Sequence, residues 1–117
     1  MRITKMRIDA KKHDSGVILH LDGKVIGDGV PQFKQAIEEH IDSGVKWIII
    51  DLAHVPLMDS SALGTVIAAF LKLRENDRKL VLLNAQKSIL DVLAITKLDS
   101  LFKVYDDMQS ALKYVGS

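Results

Sequence analysis

The 117-residue chain contains no cysteine, which excludes disulfides, thiolate metal ligands and cysteine nucleophiles together and suits a reducing compartment. Nor is there an excess of one charge: 16 basic against 15 acidic side chains leave a formal +1. Without a long run of like charge, the chain shows neither the footprint of a nucleic-acid binder nor a polybasic membrane tail. No apolar run approaches the roughly 20 residues of a membrane span, and "MRITKMRIDAKKHD" lacks the apolar stretch of about seven residues or more that a secretory signal needs. Internal repeats, low-complexity tracts and long connections are absent too. The expectation is one cytoplasmic domain over residues 1–117, with no nucleic-acid partner and no membrane insertion.

What is present is a hydrophobic share of 48%, enough for one sizeable core. Ile3, Met6 and Ile8 lie among charged residues as in an edge strand, and "GVILHLDG" alternates Val17, Leu19 and Leu21 against Ile18 and His20. The intervening "KKHDSG" reads as a hairpin loop. Val30, Phe33, Ile37 and Ile41 recur at helical spacing, Pro31 sits where a first turn tolerates it, and Ser43-Gly44 ends the pattern. "KWIIIDL" and "KLVLLNA" are continuous apolar runs, the mark of strands buried on both faces of a largely parallel sheet. Between them a helix runs from about Ser60 to Asn76. "QKSILDVLAIT" reads as a helix, "LFKVYD" as a last strand, and "DMQSALKYV" as a last helix with Asp106 and Gln109 as its capping box. The order β-β-α-β-α-β-α-β-α implies an α/β layer structure, a mixed, mostly parallel sheet with about four helices packed against it.

Most candidate chemistry dissolves on inspection. His13, His20, His40 and His54 stand far apart without HExxH or i,i+4 spacing, so solvent or edge-of-core roles are expected and no metal site. Met58-Asp59-Ser60-Ser61-Ala62 lacks both glycines of a Gly-x-Ser-x-Gly nucleophile elbow. "GKVIGDG" has phosphate-loop glycines but no Walker lysine-serine pair, which favours turn formation over a nucleotide contact, so no cofactor is expected. The helix after Asp59 has one apolar stripe of Leu63, Ile67, Phe70 and Leu71 and a second of Val66, Ala69 and Leu73. That width suits either thorough burial in its own domain or contact with a neighbouring helix or a protein partner.

At the start of that helix Asp59 and Ser60 admit two readings. Either supplies an acceptor for the free N–H groups of the first turn, worth about 1 kcal/mol, so the cluster could be a cap and nothing more. The same geometry leaves a small hydroxyl at the positive end of a helix dipole, where an added phosphate finds donors and a favourable field. Phosphorylation there adds about −1.5 to −2 charges without unfolding anything.

"IIIDLAHVPLMDSSALGTVIAAF" resembles the signature of the STAS family, the sulphate transporter and anti-sigma factor antagonist domains. That signature has a buried strand ending in Asp-Leu, a short loop, then Asp-Ser-Ser/Thr-Gly-Leu-Gly opening a helix. Here those positions are Asp51-Leu52, then Asp59, Ser60, Ser61, Ala62, Leu63 and Gly64. The resemblance extends to the order of elements from Ile3 to Val115. It implies a partner-switching cycle: a histidine-kinase-like serine kinase, often itself the anti-sigma factor, phosphorylates the serine after the signature aspartate, Ser60, and a metal-dependent serine phosphatase reverses this. The unphosphorylated antagonist holds the kinase; the phosphorylated one releases it, and the chain itself is not an enzyme. The partner-binding set implied is Asp59, Ser60, Ser61, Ala62, Leu63, Gly64 and Asp28, with Ser61 as a supporting residue whose hydroxyl helps the first turn. Two positions depart from the pattern. Ala62 replaces the usual first glycine, bringing a methyl that would meet a closely approaching backbone, and Gly23 is followed by Lys24-Val25-Ile26, so the nearest acid is Asp28. The alternative within the family is a non-phosphorylated subunit of a larger assembly, such as a lipid-transport ATPase.

Overall fold

The computed structural model describes residues 6–116; Ile3 of the expected first strand lies outside them. In chain order the elements are β1 (Arg7–His13), β2 (Gly16–Asp22), α1 (Gly29–Asp42), β3 (Trp47–His54), α2 (Ser60–Arg74), β4 (Lys79–Leu83), α3 (Lys87–Ile95), a short 3-10 turn (Leu98–Ser100), β5 (Lys103–Tyr105) and α4 (Met108–Gly116). They build one five-stranded sheet in the order β1-β2-β3-β4-β5. The hairpin β1-β2 is antiparallel, and β2-β3, β3-β4 and β4-β5 are parallel. The expected mixed, mostly parallel α/β architecture is what forms.

The continuous apolar runs exist because the central strands bury both faces. Ile48, Ile50 and Leu52 of β3 and Leu80 and Leu82 of β4 face one core, filled by Phe33, Ile37 and Ile41 of α1, Ala62, Val66, Ala69 and Leu73 of α2, and Ile89 and Leu93 of α3. Their neighbours Trp47, Ile49, Val81 and Leu83 face a second, smaller core closed by Ala111 and Val115 of α4. Alternation of side chains along a strand sends adjacent apolar residues to opposite layers, so helices on both sides demand unbroken hydrophobic runs. In the second core the Trp47 indole lies over Gly16, where a Cβ would penetrate the ring; only glycine fits under it.

Three details differ from the sequence reading. The segment "KKHDSG" is not all loop: Lys11, Lys12 and His13 pair with Ile18, Val17 and Gly16, and only Asp14 and Ser15 turn. These residues look loop-like because β1 is an exposed edge strand, where charge protects free backbone groups against further pairing; Asp14 accepts the left-handed conformation the tight turn requires, at φ 53. At α4 the cap is Asp107, not Asp106. Its carboxylate accepts from the Ser110 N–H at 2.8 Å and the Ser110 hydroxyl at 2.9 Å, because the helix starts one residue later than expected. Finally, α2 ends at Arg74 rather than Asn76. Its Val66, Ala69 and Leu73 stripe is buried, Leu63, Ile67 and Phe70 are half-buried against the core, and Leu71 is exposed.

Candidate functional site

Parallel strands end with their carboxyl termini at one edge, and the loops leaving β2 and β3 meet there. Beyond the sheet proper the two loops continue as a narrow ladder. The Gly23 N–H donates to the His54 carbonyl at 2.9 Å, the Val25 N–H to the Leu57 carbonyl at 2.9 Å, and the Asp59 N–H to the Val25 carbonyl at 3.2 Å. Val25, Val55 and Met58 plug the space beneath. Other loop donors are also consumed internally: Gly29 gives its N–H to Ile26 and Val30 to Gly27. A glycine-rich loop whose amides already serve the chain's own carbonyls has little left to cradle a phosphate.

Asp59 is where this ladder passes into α2. In extended conformation (φ −84, ψ 178) it caps the helix, accepting the Ala62 N–H on Oδ1 at 2.9 Å. Its Oδ2 accepts the N–H of Gly27, at 3.1 Å, from the other loop. These bonds, Ala62 first and Gly27 second, hold the carboxyl below the ordinary aspartate range, because a carboxylate accepting backbone N–H groups favours its charged form. One side chain therefore starts the helix and ties the β2–α1 loop to it.

The flanking residues fall into distinct places. Ser60 and Ser61 are exposed, and Ser60 is the first residue of α2. The cap expected of the Ser61 hydroxyl is not there: that hydroxyl has no hydrogen-bond partner among the described residues, while the Ser61 carbonyl accepts from the Thr65 hydroxyl at 3.0 Å and the Ser61 backbone N–H adds to the stabilisation of the Asp59 carboxylate. Ala62 is fully buried in the core, so its methyl faces inward and presents nothing to a partner. Leu63 is half-buried. Gly64 is exposed, and a Cβ there would meet nothing. Spacing of i and i+4 puts Ser60 and Gly64 on one face of the helix. Asp28 is exposed beside Gly27, and as the residue before α1 it makes no side-chain cap.

Several supports were invisible in the sequence. Asp51, within β3, accepts the Ala53 N–H at 3.0 Å on one oxygen and meets His20 Nδ1 at 2.7 Å with the other. The α3 end of the site is pinned as well: Gln86 donates to the Ala53 carbonyl at 3.0 Å and Ser88 to the Pro56 carbonyl at 2.8 Å. Apart from Ala53 and Asp51, the partners are more than thirty positions apart, so no local pattern marks them; only His20 facing Asp51 across parallel strands follows, once the register is known.

The chain belongs to the STAS domain family, whose profile matches residues 7–111. It is similar to an anti-sigma-B factor antagonist of Listeria monocytogenes, with 29% identity over 99 residues, 83% of this chain and 86% of the relative. Its fold is shared by an anti-sigma factor antagonist from Mycobacterium paratuberculosis, at TM-score 0.86 and 22% identity over 97% of this chain and 96% of that one. The Bacillus cell fate determinant SpoIIAA, solved in its phosphorylated form, also has it, at TM-score 0.75 and 22% identity over 93% of this chain and 99% of that one.

Proposed function

We propose that this chain is a phosphorylatable partner-switching regulator, an anti-sigma factor antagonist working as one domain in the cytoplasm. Unphosphorylated, it binds a histidine-kinase-like serine kinase that is also the anti-sigma factor; phosphorylated on Ser60, it lets go, and a metal-dependent serine phosphatase resets it. The observation that carries this reading is the exposed Ser60 hydroxyl at the first position of α2, beside an Asp59 carboxylate whose two oxygens are both occupied. The names of the relatives, anti-sigma factor antagonists across the matched length, support the same reading.

In this reading the chemistry is divided between the proteins. Ser60 supplies the attacking oxygen and the kinase supplies ATP, so the γ-phosphoryl passes to Oγ, ADP leaves, and the hydroxyl proton goes to a base of the kinase. Asp59 is poorly placed to be that base, because its carboxylate is stabilised in the charged form by two N–H groups. The chain is thus a substrate and a ligand rather than an enzyme. The product dianion lies at the helix N-terminus, where first-turn N–H groups and the helix dipole tolerate it.

Gly64 supports a surface built for close approach. A glycine inside a helix costs roughly 1 kcal/mol relative to alanine, and nothing in this fold requires it at that position. Its missing side chain leaves the face around Ser60 open to a partner's backbone. The test is incubation of the chain with its cognate kinase and ATP, followed by intact-mass measurement and peptide mapping. One phosphate on Ser60 is the expected result; no phosphate, or a phosphate elsewhere, overturns the reading.

A further inference from the structure

A cleft runs between α1 and α2. Lys34, Ile37, Glu38 and Ile41 line it from α1, and Thr65, Ala68, Ala69 and Lys72 from α2, around a hollow of about 320 Å³. Both sets follow the spacing i, i+3, i+4 and i+7, so each is a single stripe about 10 Å long at helical rise. Because β2, β3 and β4 are parallel neighbours, α1 and α2 return in the same direction. Lys34 and Thr65 therefore share one end of the cleft, Ile41 and Lys72 share the other, and Glu38 stands level with Ala69 between them. Ile37, Ile41 and Ala69 are buried and make an apolar floor.

The rim is charged and uncompensated. Lys34, Glu38 and Lys72 are exposed, and none of these side chains enters an ion pair among the described residues. Lys34 and Glu38 are four residues apart on one helix, but a cation N-terminal to an anion is the weaker order for such a pair. Glu38 and Lys72 stand on opposite walls of the cleft. An apolar floor bordered by unpaired charges of both signs is complementary to a copy of itself, as an isologous contact requires.

We infer that the α1–α2 cleft is the contact between two copies of this chain, related by a two-fold axis that runs along the helices. The charges select that axis. Rotation about it lays α1 of each copy on α2 of the other, with both helices pointing the same way. Glu38 then lies level with Ala69 of the second copy, and Lys72 of that copy is one helical turn further on, about 5 Å along the axis. Symmetry makes the reciprocal pair as well, so both acids meet a lysine. A two-fold axis across the helices would instead bring the two Glu38 side chains together, and like charges at a contact oppose it. Because α2 points the same way in both copies, both Ser60 residues lie at one end of the pair.

The size of the face sets the strength. Helices of 14 and 15 residues are about 21 and 22 Å long and side by side about 20 Å wide, a face on the order of 400 Å². That is at the small end of specific interfaces, so pairing is concentration-dependent rather than obligate.

Sedimentation equilibrium of the full chain at low ionic strength, over a concentration series reaching about 1 mM, reads the association. The unaltered chain is expected to pass from monomer to dimer. E38K alone and K72E alone each set like charges against one another at both contacts and should weaken association by about tenfold or more. An equimolar mixture of the two variants restores opposite charges at both contacts, and it should associate more tightly than either variant by itself. Both substitutions are on the surface, and unchanged melting temperatures check that the fold is kept. A chain that stays monomeric throughout the series overturns the inference. So does a dimer that either variant leaves within twofold of the unaltered chain, or a mixture no tighter than its components.

Discussion

The carboxylate of Asp59 joins two segments 32 positions apart by accepting the Gly27 N–H at 3.1 Å. The same side chain caps α2 through the Ala62 N–H at 2.9 Å. The loop before α1 and the start of α2 are therefore one unit, and the surface around Ser60 depends on the charge of a single aspartate.

That dependence has a sign in pH. Asp59 is held below the ordinary value of 3.8, chiefly by Ala62 and then by Gly27. Its contribution to stability is complete above about that value and is lost as pH falls through the lower folded-state value. Asp107 is shifted the same way, chiefly by the Ser110 N–H. Melting temperature is expected to drop below about pH 4, with a shallower acid limb in Asp59→Asn and in Asp107→Asn. Amide exchange at Gly27 should accelerate at pH 7 in Asp59→Ala but not in Asp107→Ala. Equal exchange rates at Gly27 in the two variants would show that Asp59 does not hold the loop.

Ser60→Ala and Ser60→Asp are expected to fold alike and bind differently. A kinase surface that covers a neutral hydroxyl must desolvate an introduced charge, a cost of a few kcal/mol and about a hundredfold or more in affinity. Titration calorimetry should find Ser60→Ala tight and unresponsive to ATP, and Ser60→Asp weak, with superimposable circular dichroism. Tight binding by Ser60→Asp would remove charge as the basis of the switch.

Gly64→Ala separates stability from binding. With open space where the methyl would lie, the variant should gain roughly 0.5–1 kcal/mol in denaturant unfolding. Its affinity for the kinase should fall if a partner backbone packs there. A more stable protein with unchanged affinity would leave Gly64 outside the interface.

The adjacent pair Ser61 and Ala62 should show opposite behaviour. Ser61→Ala removes no hydrogen bond made by that hydroxyl among the described residues, and its effect on unfolding free energy should stay within about 0.5 kcal/mol. Ala62→Asp places a charge in the core position that Ala62 fills at 0% exposure. It is expected to unfold the domain or lower its melting point steeply, so loss of binding in that variant says nothing about contact. A large destabilisation by Ser61→Ala would restore a capping role to its hydroxyl.

Local order in the sequence determined the elements and their class. Apolar spacing in Phe33, Ile37 and Ile41 marks α1, and the runs "WIII" and "LVLL" require layers on both sides of a sheet, since period-two geometry leaves no other way to bury every residue. Asp59 before Ser60 announces both a helix start and a candidate phosphoacceptor, because both depend on a few consecutive residues. Where polarity has more than one cause, local reading errs: Lys11 and Lys12 are charged as edge-strand residues, not as a loop, and Asp107 rather than Asp106 caps α4. Tertiary structure alone decided that Ala62 points inward while Ser60 and Gly64 point out, that Asp59 reaches Gly27, and that α3 stands beside the Ser60 loop with Val92 and Ile95 uncovered. Each of these depends on how helices rotate onto the sheet and on hydrogen bonds between residues some thirty positions apart. Such contacts are set by packing of the whole core and leave no period in the chain.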